Sequence, residues 1–203
     1  LPSELFNELS QEKKSRIMEA ALKEFAEHGY NEGSTNRIVK EAAIAKGSLF
    51  KYFKNKEELY FDVLDHAIGA LTNGLKDELK SLPQDFFERI IKFAEMEISW
   101  YIKNPVHYKL IRRAFGKDNE IIYNKTIEKY GDQAEVYYYS MFEDINDKQF
   151  RADKKKVLNI IKWFLEGYNQ SFIIEDIEGS LDVVKRKYME GLKEYIEILK
   201  IGL

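Results

Sequence analysis

The sequence predicts an all-α protein: an N-terminal three-helix helix-turn-helix domain followed by a larger helical body, about nine helices in all. Glycine (11) and proline (3) are sparse over 203 residues while charged residues reach 33%, a balance that favours helices over the many turns of a β fold. Apolar residues recur at spacings of three and four along most of the chain, and no stretch has the pattern of a strand, an internal repeat or a low-complexity tract. A hydrophobic content of 44% with 14% aromatics is enough to build a core.

The first helix is expected from about Gln11 to His28, with Ile17, Met18, Ala21, Leu22 and Phe25 on one face and Gly29 in the position after the helix end that favours a left-handed residue. Asn31 to Gly33 reads as a loop. Ser34 offers an N-cap oxygen to a short helix ending near Ala42, with Ile38, Val39 and Ala42 inward. Ala43-Ile44 forms a tight turn, and a third short helix covers Lys46 to Phe53 with Leu49 and Phe53 inward. Asn55 to Glu58 reads as a capping box opening a long helix that reaches Leu82 before Pro83 stops it. Further helices are expected over Asp85–Lys103, from Pro105 to Phe115, over Ile121–Phe142 with a bend near Gly131, over Asp153–Glu175 and over Ser180–Ile201, with a polar linker between Asp144 and Ala152. The domain boundary is placed at 56/57: residues 1–56 form the helix-turn-helix domain, the helix over 56–82 connects, and residues 57–203 form the body.

The composition narrows the function classes. There is no cysteine, so neither a disulfide frame nor a thiolate metal site is available, which suits a reducing cytoplasm. No apolar run approaches the roughly 20 residues that span a bilayer, so no membrane association is expected, and no secretory segment opens the chain. The three histidines are scattered, and phosphate-loop, dinucleotide, nucleophile-elbow and zinc-protease motifs are all missing, so no catalytic residue, metal ligand or cofactor is expected. His28 reads as a helix C-terminal residue favoured by the dipole. The net charge of −3 argues weakly against nucleic acid, but its distribution does not. Between Gly33 and Lys56 the bases Arg37, Lys40, Lys46, Lys51, Lys54 and Lys56 face one acid, Glu41, so this segment carries +5 and the remainder −8. By itself such a run is more often a solvated face.

What separates the two readings is the stretch AIAKGSLFKYF, residues 43 to 53. Two short helices joined by a tight turn and braced by a third have the geometry that lays the second short helix in the major groove of double-stranded DNA. Gly47 near its start lets backbone approach a phosphate or base edge, Lys46 reaches phosphate or guanine, and Ser48 donates or accepts. Lys51 and Tyr52 are expected on the outward side, the phenol bonding a phosphate. Lys56 with the amides opening the long helix, and Thr35 at the start of the preceding short one, add two further anion sites.

From Ile17 to Tyr60 the chain reads IMEAALKEFAEHGYNEGSTNRIVKEAAIAKGSLFKYFKNKEELY, and this stretch resembles the DNA-binding domain of the tetracycline-repressor (TetR/AcrR-type) transcriptional regulators. The residues that carry the resemblance are Phe25, Gly29, Tyr30, Thr35, Val39, Ala43, Lys46, Gly47, Ser48, Leu49, Phe50, Tyr52, Phe53, Lys56 and Leu59, in order and at the family's spacing. Where the family usually has glycine and serine flanking the turn, this chain has Ala43 and Ala45, so the third helix lacks a side-chain N-cap. Phe50 stands for the commoner tyrosine, able to pack on sugar or a thymine methyl but not to bond phosphate.

The resemblance implies an effector cavity in the body. Phe93, Glu97, Trp100, Tyr101, His107, Tyr108, Arg112, Tyr138 and Phe142 are the candidates to line it, with ordinary core packing as the alternative for each ring. Two apolar stripes near the C-terminus, with Phe164, Leu165, Tyr168 and Phe172 on one helix and Leu181, Val184, Tyr188, Leu192 and Tyr195 on the next, suit a homodimer interface or a common internal core. The expectation is a homodimeric repressor released from a palindromic operator by a small apolar or amphipathic effector whose identity the sequence leaves unknown. A DNA-binding architectural protein without an effector, and an all-helical adaptor or enzyme, stand as alternatives.

Overall fold

The computed structural model describes residues 2–116, 119–172 and 180–202, and among them every regular element is a helix. Ten α-helices follow one another: α1 (Glu4–Asn7), α2 (Gln11–Glu32), α3 (Thr35–Glu41), α4 (Lys46–Tyr52), α5 (Lys56–Leu79), α6 (Phe86–Lys103), α7 (Pro105–Phe115), α8 (Glu120–Ser140), α9 (Lys154–Ser171) and α10 (Leu181–Gly202). Nine coincide with expected helices, and α1 is the addition. Helix α5 stops at Leu79, short of the expected Leu82, and α8 runs through Gly131 without a break. The linker after α8 contains a 3-10 turn, Asp147–Gln149, opened by the Asn146 side chain accepting from the Lys148 amide. The expected continuation of the ninth helix to Glu175 lies outside the described residues.

The chain divides into two compact units, residues 1–74 with 104–129, and residues 75–103 with 130–203; the division falls inside α5 and inside α8. The expected cut at 56/57 falls inside the first unit. In that unit α2 packs on α3 and α7, and α1 on α4. Its core is Ile17, Phe25, Ile38, Leu49, Phe53, Leu64 and Leu110, all essentially inaccessible to solvent. The Tyr60 ring sits between Phe25 and Tyr30 at centroid distances of 5.1 and 5.3 Å, edge to face. Gly29 bends the end of α2: at φ 66° and ψ −173° it occupies backbone space that side chains disfavour, and helical structure resumes to Glu32. The bend is held by Arg113 of α7, whose Nε donates to the Ala26 carbonyl at 2.9 Å and whose Nη2 donates to that of Glu27 at 3.2 Å.

In the second unit α6 packs against α10. Its core joins Phe86, Ile90, Ile98, Phe142, Val157, Ile161, Leu192 and Ile196. The ring of Phe86 meets those of Phe142 and Phe150 at 5.5 and 4.8 Å. A buried guanidinium ties the start of α6 to the end of α8. Arg89, 4% exposed, donates to the carbonyls of Pro83 (2.6 Å) and Met141 (2.7 Å) and forms a two-pronged ion pair with Asp144. The hydrogen bonds from Arg89 and Gln84 hold the Asp144 carboxyl well below the usual carboxylate range.

Candidate nucleic-acid interface

Local chemistry sets the two short helices. Ser34 caps α3, its Oγ accepting from the Arg37 amide at 3.4 Å. Gly33 must be glycine: a Cβ there would come within 2.7 Å of both the Gly29 carbonyl oxygen and the Phe25 ring. Glu24, 8% exposed, anchors the start of α3 by accepting from the Ser34 amide at 2.7 Å and from Arg37 Nε at 2.9 Å. Burial alone would raise the Glu24 carboxyl, but these donors outweigh it and its pKa lies below the usual value. The turn from α3 to α4 uses Ala43 at φ 51°, a left-handed alanine, with its amide donating to Lys40 and that of Ile44 to Val39. At Ala45 the N-cap position of α4 has extended backbone and no side-chain hydrogen bond, as its sequence implies.

Helix α4 turns Leu49 and Phe53 inward, each 1% exposed, and leaves Lys46, Gly47, Phe50 and Lys51 at the surface, with Ser48 half-buried. Phe50 is 43% exposed, a large apolar ring presented beside two ammonium groups. A Cβ on Gly47 would meet nothing within 4 Å. The fold therefore does not require glycine at that position, although glycine inside a helix costs about 0.5–1 kcal/mol relative to alanine.

Three basic or aromatic residues sit differently from expectation. Tyr52, expected outward, is 8% exposed: it packs on Phe6 of α1, ring centroids 6.0 Å apart, with the Lys13 ammonium 5.8 Å above it. Arg37, counted in the basic patch, is engaged with Glu24 and with the Glu32 carbonyl. Lys56 folds back to donate to the Asn31 carbonyl at 3.0 Å and lies 4.8 Å over the Tyr30 ring, and burial lowers its ammonium pKa. The expected capping box beside it is made with an offset: the Glu58 amide donates to Asn55 Oδ1 at 2.8 Å, and the Glu58 carboxylate accepts from the amide of Lys54, one residue before the N-cap. Thr35 is the first, half-buried residue of α3.

The sequence reading missed the N-terminal arm. Ser3 caps α1, its Oγ donates to the Lys51 carbonyl and its amide to the Tyr52 carbonyl, and Phe6 closes on Phe53 at 4.9 Å. The signal was a serine at a cap position followed by Leu5 and Phe6, too short to register as a helix.

The candidate effector residues fall in both units. His107, Tyr108 and Arg112 of α7 belong to the first; Phe93, Glu97, Trp100, Tyr101, Tyr138 and Phe142 belong to the second. In the first, the rings of His107 and His66 are 6.5 Å apart and Arg112 is exposed. In the second, Phe142 is 2% exposed against Phe86 and Tyr138, and Tyr138 donates to the Leu158 carbonyl at 2.8 Å, so this pair serves the core. Burial pushes the Glu97 carboxyl up to about 7, and its charge helps raise the Tyr137 phenol. An open groove of about 1030 Å³, bordered by Glu135, Val136, Tyr139, Asp153 and Leu158, shares only Phe142 with the candidates.

The expected interface is corrected in part. Val184, Tyr188 and Leu192 are at most 5% exposed, buried in the second unit's own core, because α10 turns that stripe toward α6. Phe164, Leu165, Tyr168 and Phe172 pack partly against the same core, and Leu181 opens α10. Among the described side chains of the expected set Tyr195 is the well-exposed one, at 52%; other exposed apolar side chains of α9 and α10 are Ile160, Trp163, Ile198 and Ile201.

Residues 17–63 match the family model described as bacterial regulatory proteins, tetR family. The chain is similar to a fatty acid metabolism regulator protein of Bacillus subtilis, 31% identical over 65 residues, and this match spans 32% of the chain and about a third (34%) of that relative's length. It is also similar, at 22% identity over 193 residues, to the Staphylococcus aureus (strain Newman) negative transcriptional regulator of the icaADBC biofilm operon, covering 91% of this chain and 97% of the other. The crystal structure of a Bacillus subtilis regulator in complex with stearoyl-CoA shares the fold: TM-score 0.62, 17% identity, 87% of this chain and 95% of that one.

Proposed function

We propose that the chain, whose residues 17–63 match the model for tetR-family regulatory proteins, is a DNA-binding transcriptional regulator, a homodimeric repressor released from a palindromic operator by a small apolar or amphipathic molecule. The observation that carries this reading is the division of labour along α4: Leu49, Tyr52 and Phe53 hold the helix to its unit, while Lys46, Ser48, Phe50 and Lys51 face outward around a glycine that the fold does not need. That is the surface a groove-reading helix presents, with cations for phosphate, short polar groups for base edges and an apolar ring for a thymine methyl.

A seven-residue helix reads few base pairs. Two copies about 34–36 Å apart read a palindrome. Trp163, Ile160, Tyr195, Ile198 and Ile201 supply the apolar surface for that pairing. By role rather than compactness, we assign DNA binding to residues 1–56 and effector binding and dimerisation to 57–203, with α5 connecting them. The similarity to regulators named for fatty acid metabolism and solved with stearoyl-CoA supports an acyl-chain amphiphile as effector. An effector releases DNA only if it prefers the state whose recognition-helix spacing misses the operator, and couplings of about 1–3 kcal/mol are typical.

The test is selection of duplexes from a random-sequence library by the full chain, followed by titration of the selected duplex with stearoyl-CoA. Enrichment of an inverted repeat, and release at rising acyl-CoA, are expected. A chain that enriches no sequence is not a regulator of this kind.

A further inference from the structure

Helix α4 is poorly equipped to hold itself in place. It has seven residues, no side-chain N-cap at Ala45, and a glycine in its first turn. Short helices are marginal on their own because nucleation fixes several residues for each hydrogen bond gained, and the last four carbonyls of any helix lack partners within it. Here three of the four find partners beyond the helix. Leu49 accepts from the Phe53 amide at 2.9 Å, Lys51 accepts from Ser3 Oγ at 2.8 Å, and Tyr52 accepts from the Ser3 amide at 2.9 Å. One residue therefore satisfies two successive carbonyls at the end of the helix. Phe6, 6% exposed, seals the same turn against Tyr52 and Phe53, with the Lys13 ammonium over the other ring. Lys14 Nζ donates to the Asn7 carbonyl at 2.7 Å and fixes the far end of the arm to α2.

We propose that residues 3–9 are a positioning arm for the recognition helix: Ser3 and Phe6 fix the C-terminal turn of α4, and through it the register of Lys46, Ser48 and Lys51 against base pairs, without contacting DNA. The inference rests on the DNA-binding reading above. Base readout demands register, whereas phosphate contacts tolerate shifts. Loosening the arm should therefore cost specific binding more than binding to arbitrary sequence.

The test uses the full chain with Ser3→Pro and, separately, Phe6→Ala. Ser3 has φ −64°, the value proline imposes, so Ser3→Pro removes both donors to α4, together with the Oγ that caps α1, and leaves the backbone unstrained at that residue. The probes are a duplex selected from a random library by the wild-type chain and a scrambled duplex of equal length. Ser3→Pro is expected to weaken the selected duplex about tenfold, the scale of two hydrogen bonds lost. The preference over the scrambled duplex should shrink, the salt dependence should stay the same, and amide exchange over residues 49–53 should quicken. Phe6→Ala should do the same more strongly; should it melt the unit, Ser3→Pro, which keeps the apolar contact, still decides. Unchanged affinity for the selected duplex alongside quickened exchange overturns the proposal. So does a log–log salt slope reduced by about one per half-site, because the arm would then itself touch phosphate. A wild-type chain that selects no sequence overturns the regulator reading, and the arm's role with it; a wild type that selects one, matched by variants that bind it equally, overturns the arm alone.

Discussion

Ala43 and Gly47 stand four residues apart, and each has the side chain the other's position would suit. Ala43 holds φ 51°, a conformation that costs a non-glycine residue about 1–2 kcal/mol. Ala43→Gly should relieve it, offset in part by the greater freedom of glycine in the unfolded chain, for a net gain of about 0.5–1 kcal/mol in urea unfolding. Gly47→Ala should also stabilise the chain, by about 0.5–1 kcal/mol, because the added methyl meets nothing in the protein. Against DNA that methyl stands where backbone must approach, so affinity for a selected duplex should drop about tenfold even as thermal stability rises. An alanine variant that binds as well as wild type would show that Gly47 serves neither fold nor contact. Leu49 and Phe53 were legible in the sequence because their burial follows the local helical period. Tyr52 was not: the helical period leaves it at the edge of the buried face, and Phe6, remote in sequence, decides the matter.

At the scale of elements, caps written in consecutive residues were readable, Ser34 for α3 and Asn55 with Glu58 for α5, and so was the helix start at Pro105. Ties that cross the chain were not. Nothing near Arg89 announces that its guanidinium will collect Pro83, Met141 and Asp144, since the last two lie more than fifty positions away. Arg89→Ala would leave buried carbonyls without donors and open a void, a loss of about 3 kcal/mol by denaturant unfolding. Acid should act on the same ties. Glu24 and Asp144 both have depressed native pKa values. Their contribution is complete above the unfolded carboxylate range of about 4 and is lost as pH falls through the native values. The share of stability that these two carboxylates supply should therefore be constant from pH 7 to about 5 and decline below 4, and Asp144→Asn should flatten part of that decline; an unaltered acid limb would show that the Arg89 pair contributes nothing to it.

For the whole molecule, the helical class and the order of nine helices followed from apolar spacing, but which stripe faces outward did not. Leu192 and Tyr195 lie three apart on α10 and look alike in sequence, yet one is inaccessible and the other 52% exposed. A stripe that packs within a chain and a stripe that packs between chains share the 3.6-residue period, so periodicity cannot assign them. The exposed set gives the cleaner test of pairing. Trp163 is 62% exposed in the single chain, so Trp163→Glu should leave the helical circular-dichroism spectrum unchanged, with a melting temperature lowered only by the loss of pairing. In sedimentation experiments it should yield monomers, and affinity for a two-half-site duplex should fall about 100-fold because the second recognition helix is no longer tethered to the first. A variant that still sediments as a dimer would move the interface to another face.

The Arg113 bonds to the Ala26 and Glu27 carbonyls also bear on how the protein lends itself to dissection and recombination. Helix α7 is encoded far downstream of the helix-turn-helix, yet it covers α2 and belongs to the same compact unit. A fragment ending at residue 74 would carry every candidate DNA contact and still expose the apolar side of α2, with the bend at Gly29 unsupported. It should melt without a cooperative transition. Chimaeras that graft this head onto a foreign regulator by a single crossover in α5 should fail for the same reason. Grafts that carry Leu110, Arg113 and Ala114 along with the head should recover, so exchange of specificity between relatives would require two crossovers rather than one.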